Sequence, residues 1–288
     1  MYSTKTNNRN MLITSMCIFG TIGVLRRYIP LSSSLIALVR GVVGSIFLLL
    51  VCLITHRKLD RNAIKQNFLL LALSGAGIGF NWILLFEAYN YTSVATATLC
   101  YYLAPILVIL ASPMVLKEKL TVKKMICTII ALIGMVLISG ITDAGFSGIA
   151  ELKGILYGLS AALLYASVIL MNKKMPGVPS YDKTIFQLSL ASIALLPYVL
   201  LTEKWSFISL TPLALALLLV AGIVHTGIAY WLYFSSMDHL PSHTVALLSY
   251  MDPILSIFLS VVLLCEPMTL SAGIGSVMIL GAAYLSEK

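Results

Sequence analysis

Ten apolar stretches, each about twenty residues long and separated by short polar joints, constrain this chain more than any other feature. A membrane-spanning helix needs about 20 predominantly apolar residues to cross the hydrocarbon core. Charged residues make up only 10% of the chain, against about 25% in a soluble domain, so most of the surface must face lipid. The sequence predicts spanning helices over residues 11–30, 33–55, 67–89, 92–115, 122–140, 151–171, 183–201, 212–235, 242–265 and 269–286.

The first apolar stretch ends in Arg26 and Arg27 and is followed by further apolar stretches. It contains no small-residue cleavage site, so we expect a spanning helix there rather than a cleavable signal peptide. The five cysteines fall inside apolar stretches, and none has a partner at CxxC spacing. The sequence therefore predicts no structural disulfide, no metal site and no cofactor.

The positions of the basic residues indicate how the chain is oriented. The formal net charge is +8, but the lysines and arginines cluster in the joints, above all at residues 56–61, 117–124 and 173–179. With the N-terminus inside, fourteen of the 19 basic residues lie on the cytoplasmic side and four on the other, with Arg40 inside the second helix. This bias predicts that both termini are cytoplasmic in a cell membrane, and it makes lipid rather than nucleic acid the expected partner.

The two halves of the chain match one another at a constant offset of 148 residues. Tyr102 and Pro105 lie over Tyr250 and Pro253, and the same offset aligns Phe86 with Phe234, Thr96 with Thr244, Leu107 with Leu255, Glu118 with Glu266 and Thr121 with Thr269. A series of matches at corresponding helix positions indicates duplication. Because each half has five helices, the second copy must enter the membrane from the opposite side. The predicted fold is an all-α integral membrane protein of ten helices, in two inverted five-helix repeats over residues 1–145 and 146–288.

The charges beside the repeated glutamates agree with this inversion. Four lysines surround Glu118, whereas the matching sequence Cys265-Glu266-Pro267-Met268 contains none. The positive-inside rule requires this difference if the two joints lie on opposite sides of the membrane. We expect each of the two carboxylates to have a structural role at the N-terminus of the helix that follows it.

An apolar helix with an internal proline, ending in a glutamate and followed by another helix, occurs twice, from Pro105 to Glu118 and from Pro253 to Glu266. In this respect nearly the whole chain resembles the drug/metabolite transporter superfamily, and within it the EamA-type ten-helix carriers. The resemblance implies alternating-access transport of a small metabolite such as an amino acid or an amine, often as export, without fixing the substrate. One departure is Phe19-Gly20, where the family often has Trp-Gly.

Asp252 is the strongest single candidate for a functional residue, because ionisable groups at membrane depth are costly. It precedes Pro253 in the middle of a spanning helix, and Ser249, Ser256 and Ser260 share its helical face. Three interpretations are open: contact with a substrate amine, proton coupling, or a structural charge held by a neighbouring helix. We expect Asp252 to face a cavity.

Arg40, His225 and Glu87 are the other ionisable residues at membrane depth. Arg40 is expected to pair with Asp252 or Glu87, to bind a substrate carboxylate, or to reach the lipid edge. His225 could relay protons or could hydrogen-bond a neighbouring helix. Glu87 lies near the end of its helix, where the membrane interface is within reach.

Aromatic residues are concentrated near the two prolines and in the helices before them. Aromatic faces attract cations, and hydroxyl groups orient polar substrates, although packing and interfacial anchoring are equally open explanations. We expect Tyr102 and Tyr250 to face one cavity from equivalent positions. The predicted substrate-binding residues are Arg40, Asn81, Trp82, Tyr101, Tyr102, His225, Tyr230, Trp231, Tyr250 and Asp252.

The sequence favours a secondary carrier over two other classes of membrane protein. An intramembrane enzyme would need a catalytic motif, and the chain has no HExxH and no serine elbow. A membrane scaffold would need neither an inverted duplication nor buried charges. Because there is no phosphate-binding loop, a proton or substrate gradient would supply the energy. The sequence leaves proton coupling, the direction of transport and the oligomeric state open.

Overall fold

The computed structural model describes residues 2–92, 94–139, 149–203, 211–264 and 270–287. These residues form helices joined by short turns, and none of them lies in a strand. The turn-rich stretch 143–148, the segment around Glu266, and Lys204 and Lys288 lie outside the described residues.

The described residues of the N-terminal part, 2–92 and 94–139, form eight helices, some of which are halves of one broken helix. They are α1 (Tyr2–Gly20), α2 (Ile22–Arg27), α3 (Ser33–Ile54), α4 (Arg61–Gln66), α5 (Phe68–Tyr91), α6 (Val94–Tyr101), α7 (Ala104–Val115) and α8 (Val122–Ser139). The expected first helix therefore begins nine residues earlier than its apolar stretch and breaks at Thr21. At this break the Thr21 hydroxyl donates to the carbonyl of Ile18 at 2.8 Å.

The described residues of the C-terminal part are also helical. Its helices are α9 (Ile149–Lys173), α10 (Ser180–Thr202), α11 (Pro212–Gly222), a π-helical segment (Ile223–Ile228), α12 (Ala229–Met237), α13 (Ser242–Leu248), α14 (Met251–Leu264) and α15 (Leu270–Glu287).

Within the described residues, seven helices or joined helix pairs are long and apolar enough to cross a membrane. They cover Ser33–Ile54, Phe68–Tyr91, Thr96–Val115, Glu151–Lys173, Ser180–Thr202, Pro212–Met237 and Ser242–Leu263, and a shorter apolar helix covers Gly273–Ala282. Large apolar side chains such as Leu53, Val122 and Val277 are about 70% exposed on the outside of the bundle, as lipid-facing side chains are. The prediction of an all-helical, multi-pass membrane protein is confirmed.

Proline breaks two of the spanning helices at corresponding places. The junction between α6 and α7 lies at Tyr102 and Leu103, just before Pro105, and the junction between α13 and α14 lies at Ser249 and Tyr250, before Pro253. Proline has no backbone N–H and its ring displaces the carbonyl one turn earlier, so backbone groups become free at each break. Both breaks lie in the interior of the bundle, where side chains can use these groups.

Glycines let some helices approach closely enough to fix the frame around the breaks. A Cβ atom on Gly79 would lie 2.7 Å from the Ala191 carbonyl oxygen, so α5 and α10 touch through their backbones. A Cβ on Gly44 would lie 3.0 Å from the Gly222 carbonyl oxygen and 3.1 Å from the Gly227 nitrogen. Small residues at such contacts are the usual means of tight packing between membrane helices.

Glu118 lies at a helix N-terminus, but not at that of the following helix. Its carboxylate accepts hydrogen bonds from the backbone N–H of Ser242, at 3.1 and 3.2 Å, and from the Ser242 hydroxyl at 2.9 Å. It therefore caps α13 in the other part of the chain rather than α8. The backbone of Lys117 has a positive φ of 58°, and this turn lies directly before the glutamate.

Candidate functional site

A cavity of about 220 Å³ lies beside the two proline breaks. Side chains from α1, α2, α3, α5, α6, α7, α9, α12 and α14 line it, together with residues of both breaks. Six of the predicted site residues reach this cavity, namely Arg40, Trp82, Tyr101, Tyr102, Tyr230 and Asp252. The cavity is smaller than the roughly 300–1,000 Å³ typical of pockets for drug-sized ligands, so its volume favours a small metabolite.

Asp252 occupies the first turn of α14, directly before Pro253. Its carboxylate accepts a hydrogen bond from the Tyr102 hydroxyl at 3.3 Å, so the two proline breaks meet at this pair. Of the charged residues that the structure describes, none is within ion-pair distance of Asp252. The carboxylate thus lines the cavity with hydrogen-bonding capacity left for a ligand.

Arg40 reaches the same cavity from α3. The close contact of Gly44 with the π-helical segment brings Arg40 next to Thr226, and the arginine Nε donates to the Thr226 hydroxyl at 3.0 Å. The Thr226 hydroxyl in turn donates to the carbonyl of Ala221 at 3.0 Å, a hydrogen bond that orients it as an acceptor. π-Helical turns are often found at functional sites, and here the turn positions the arginine.

The expected ion pair of Arg40 with Asp252 or Glu87 does not form among the residues that the structure describes. Glu87 instead accepts a hydrogen bond from the Tyr198 hydroxyl at 2.6 Å, on α10. A guanidinium has five N–H donors, and the described contacts of Arg40 use the Nε donor. The remaining donors are therefore available to a ligand in the cavity.

Aromatic rings form much of the wall between the two charged groups. Tyr101 stacks on Tyr165, with ring centroids 5.5 Å apart and an interplanar angle of 26°. Tyr230 meets Trp82 at 6.3 Å and Phe19 at 5.2 Å, both edge to face. These contacts fix how the rings face one another, and the wall offers aromatic faces to a ligand.

Four predicted site residues lie away from the cavity, because their side chains have partners elsewhere. Asn81 donates to the Ala161 carbonyl at 2.6 Å and so links α5 to α9. Trp231 packs against Tyr181 with ring centroids 6.3 Å apart. These two residues stabilise the helix bundle around the site.

Tyr250 and His225 are the other two predicted site residues that lie away from the cavity. Tyr250 is fully buried behind Tyr102, and its hydroxyl donates to the Tyr102 backbone carbonyl at 2.9 Å. Only Tyr102 of this pair faces the cavity, so the expected two-fold equivalence is not met. The Nε2 atom of His225 lies 2.7 Å from the Thr21 hydroxyl, which ties the π-helical segment to the break between α1 and α2. This hydrogen bond matches the open interpretation of His225 as a link to a neighbouring helix.

Some residues that the structure brings to the cavity were not among the predicted substrate-binding residues. Tyr165, Phe19 and Met16 line it from α9 and α1, and Ser249 lines it at the second break. Tyr165 belongs to an apolar helix in which an aromatic residue is unremarkable, and Phe19 was noted only as a departure from the Trp-Gly of the family. The sequence also contained a signal for Ser249, which shares the helical face of Asp252.

The arrangement places one cationic and one anionic side chain in a single aromatic cavity. A molecule that carries a carboxylate and an ammonium group could neutralise both. Such charge-assisted hydrogen bonds are about twice as strong as neutral ones. The same cavity contains no described group of three or more metal-ligating side chains.

Comparison with known proteins finds relatives that match nearly the whole chain. The chain is 31% identical to the uncharacterized transporter YxxF of Bacillus subtilis over 277 residues, which cover 96% of this chain and 88% of that protein. It is 26% identical to the protein PecM of Dickeya dadantii, covering 94% of this chain and 89% of that protein. The name of the Bacillus subtilis protein describes a transporter, whereas the name PecM does not. Neither name gives a substrate.

The fold and the family are shown by two further matches. One crystal structure superposes with a TM-score of 0.86 at 20% sequence identity, covering 98% of this chain and 97% of that one. The EamA-like transporter family matches twice, over residues 10–140 and 152–287. The matches indicate a transporter and not an enzyme. The chain belongs to the EamA-like transporter family.

Proposed function

We propose that this chain is a secondary active transporter for a small metabolite with an amino-acid-like or amine-like polar group. In this proposal it works by alternating access, as an exporter or an exchanger. The observation that carries the proposal is that Arg40 and Asp252 line one aromatic cavity. Among the described residues, neither is ion-paired to another side chain. Charged side chains at membrane depth are costly when they have no partner of opposite charge, so their presence in this cavity points to a ligand.

Each wall of the cavity has a role in this proposal. Arg40 binds the carboxylate of the substrate, because a guanidinium can offer two parallel N–H donors. Asp252 binds the ammonium group, with Tyr102 holding the carboxylate in place. The stacked pair Tyr101 and Tyr165 and the ring of Trp82 contact the apolar part of the substrate.

Proton coupling is a second role for Asp252 within the same function. Its hydrogen-bond partner is a tyrosine hydroxyl at 3.3 Å rather than a fixed cation. A carboxylate that is not clamped by a permanent positive charge is free to change protonation during a transport cycle. Asp252→Asn separates the two roles: loss of amine binding weakens both exchange and accumulation, whereas loss of proton coupling removes only gradient-driven accumulation.

The architecture that we infer is ten membrane crossings in two inverted five-helix repeats, residues 1–145 and 146–288. The family matches the chain in two stretches of similar length, which supports this division. The two proline breaks, at corresponding positions 148 residues apart, support it as well. Transporters built in this way carry their site at the repeat interface, near the middle of the bilayer.

We also propose that the protein lies in the cell membrane with both termini in the cytoplasm. The support is the distribution of lysine and arginine, of which fourteen lie on the proposed inner side and four on the outer side. In this orientation α5 runs outward, and the cavity residues Leu85 and Phe86 lie close to its outer end. The cavity therefore extends from the middle of the membrane toward the outside.

A thermal-shift screen followed by a flux assay tests the function. Purified protein is heated with amino acids, amines and nucleosides, and a ligand that binds only the folded state raises the unfolding temperature. We expect selective, concentration-dependent shifts from amino acids, smaller shifts from their decarboxylated amines, and saturable exchange of the best ligand in proteoliposomes. Shifts that favour nucleosides, or ligands that bind without being carried, would refute the proposal.

A further inference from the structure

A second, smaller cavity of about 190 Å³ lies along α7, α9 and α12, three of the helices that line the first cavity. Its walls include Glu118 and Leu116 at the end of α7, Lys173 at the end of α9, and Met237 and Asp238 at the end of α12. The first cavity meets α9 at Tyr165 and α12 at Tyr230. At a helical rise of about 1.5 Å per residue, the two cavities are about 10–12 Å apart along these helices.

Fully buried side chains fill the space between the two cavities. Val108 on α7, Ile169 on α9, and Tyr233 and Phe234 on α12 lie on the intervening turns, and each is at most 1% exposed. The helices α7, α9 and α12 run past both cavities. These four side chains therefore form a plug that blocks the route from one cavity to the other. A substrate could pass from one cavity to the other only if the helices moved apart.

A polar network ties the helices together at the level of the second cavity. Lys183, in the first turn of α10, forms an ion pair of 2.6 Å with Asp238 at the end of α12. Ser180 donates to the same carboxylate at 2.9 Å. Lys173 at the end of α9 donates to the carbonyl of Met237 at 3.0 Å and also to the carbonyl of Leu240.

This ion pair is buried, and the corresponding positions in the other proposed repeat do not carry its two charges. The Lys183 side chain has no exposed surface, and the Asp238 side chain is 11% exposed. The positions 148 residues earlier, which occupy the opposite side in the proposed inverted repeat, are Leu35 and Asn90. Lys173 likewise corresponds to Leu25, so the outer side cannot form the same charged contact.

We propose that the Lys183–Asp238 pair and Lys173 form the latch of the inner gate, and that the second cavity is the inner mouth of the transport path. The inference rests on the proposed function, since it assumes alternating access and cytoplasmic termini. The buried plug and the closed latch then make this structure the outward-facing state. The substrate enters the second cavity from the cytoplasm when the latch opens.

A buried ion pair suits a latch because its two states are closely balanced. The closed gate gains attraction between the charges but loses their hydration, and opening the gate returns both charges to water. Removing one partner leaves the other charge buried and unpaired in the closed state. Asp238→Asn therefore disfavours the closed gate, and Lys173→Met does so by freeing two carbonyls of the α12–α13 connection.

The test measures access to the plug from the cytoplasmic side. A cysteine-free protein receives the isosteric reporter Ser112→Cys, which lies on α7 between the two cavities and is 4% exposed. A membrane-impermeant thiol reagent is added to inside-out vesicles, and the rate of modification is measured. We expect Asp238→Asn and Lys173→Met each to raise this rate about tenfold, which corresponds to about 1.4 kcal/mol.

Lys174→Met is the matched control, because Lys174 is the exposed neighbour of Lys173. It should leave the rate unchanged. Equal rates of thiol modification in all variants would refute the proposed gate. If Asp238→Asn fails to fold, the result for Lys173→Met decides the question. Saturable transport together with unaltered rates of thiol modification would refute the proposed gate and would still support the proposed function. Altered rates of thiol modification without transport of any screened metabolite would support the proposed gate and would refute the proposed function.

Discussion

Asp252→Asn should weaken the binding of an amine-bearing ligand while leaving the protein folded. The substitution keeps the size of the side chain and an oxygen that can accept from the Tyr102 hydroxyl, now 3.3 Å away. It removes the negative charge that we assign to the substrate ammonium. A hydrogen bond to a charged group contributes about 1.5–3 kcal/mol, and each 1.4 kcal/mol is tenfold, so the dissociation constant should rise roughly 10- to 150-fold.

The assay is calorimetric titration with the parent ligand and with its analogue that lacks the amino group. Asp252→Asn should weaken binding of the parent ligand and leave binding of the analogue unchanged. Tyr102→Phe provides the comparison, because it removes a donor that positions the carboxylate and leaves the negative charge that binds the ammonium group, so its dissociation constant should rise less than that of Asp252→Asn. Equal losses for parent and analogue, or no loss for either, would refute the assignment of Asp252 to the ammonium group.

Four further substitutions and one labelling experiment test the rest of the account. Arg40→Gln should weaken binding of carboxylate-bearing ligands roughly tenfold or more without affecting the decarboxylated amines, and a uniform loss would contradict the assigned role. Tyr250→Phe should lower the free energy of unfolding by about 1 kcal/mol, since the Tyr102 carbonyl loses its 2.9 Å hydrogen bond; an unchanged unfolding temperature would contradict this. Gly79→Ala should lower the free energy of unfolding by about 1–3 kcal/mol, because its Cβ would lie 2.7 Å from a carbonyl oxygen of α10. Gly177→Ala should leave it unchanged, because its Cβ would have no atom within 4 Å. Similar effects of the two substitutions would refute the packing argument. A cysteine in the N-terminal tail should react only with reagent on the cytoplasmic side, and labelling from outside intact cells would reverse the orientation.

The membrane fold could be predicted from the sequence because its causes are local. About 20 apolar residues in a row are sufficient to specify a spanning helix, and the described helices follow most of the predicted stretches. The break at Thr21 could not be predicted, because the hydrogen bond that holds it comes from His225, about two hundred residues away.

The cavity could be predicted only for residues whose chemistry is costly in a membrane. Arg40 and Asp252 stand out in an apolar helix by their charge alone, and both line the cavity. Tyr250 and Asn81 were expected there as well, but their side chains satisfy buried backbone carbonyls. Which way an aromatic or amide side chain points depends on the rotation of its helix against its neighbours, and no single-sequence pattern specifies that rotation.

Substrate counterflow in proteoliposomes tests the central claim most directly. Vesicles are loaded with an unlabelled ligand identified by thermal shift, and entry of the labelled ligand is followed for the unmodified protein and for Asp252→Asn. Ser256→Ala is the matched control, since it lies one turn further along α14 and its hydroxyl bonds the Gly20 carbonyl at 3.0 Å. We predict saturable counterflow in the unmodified protein and in Ser256→Ala, with the half-saturating concentration raised at least tenfold in Asp252→Asn. Saturable counterflow with the same half-saturating concentration in all three proteins would contradict the claim that this cavity carries the substrate.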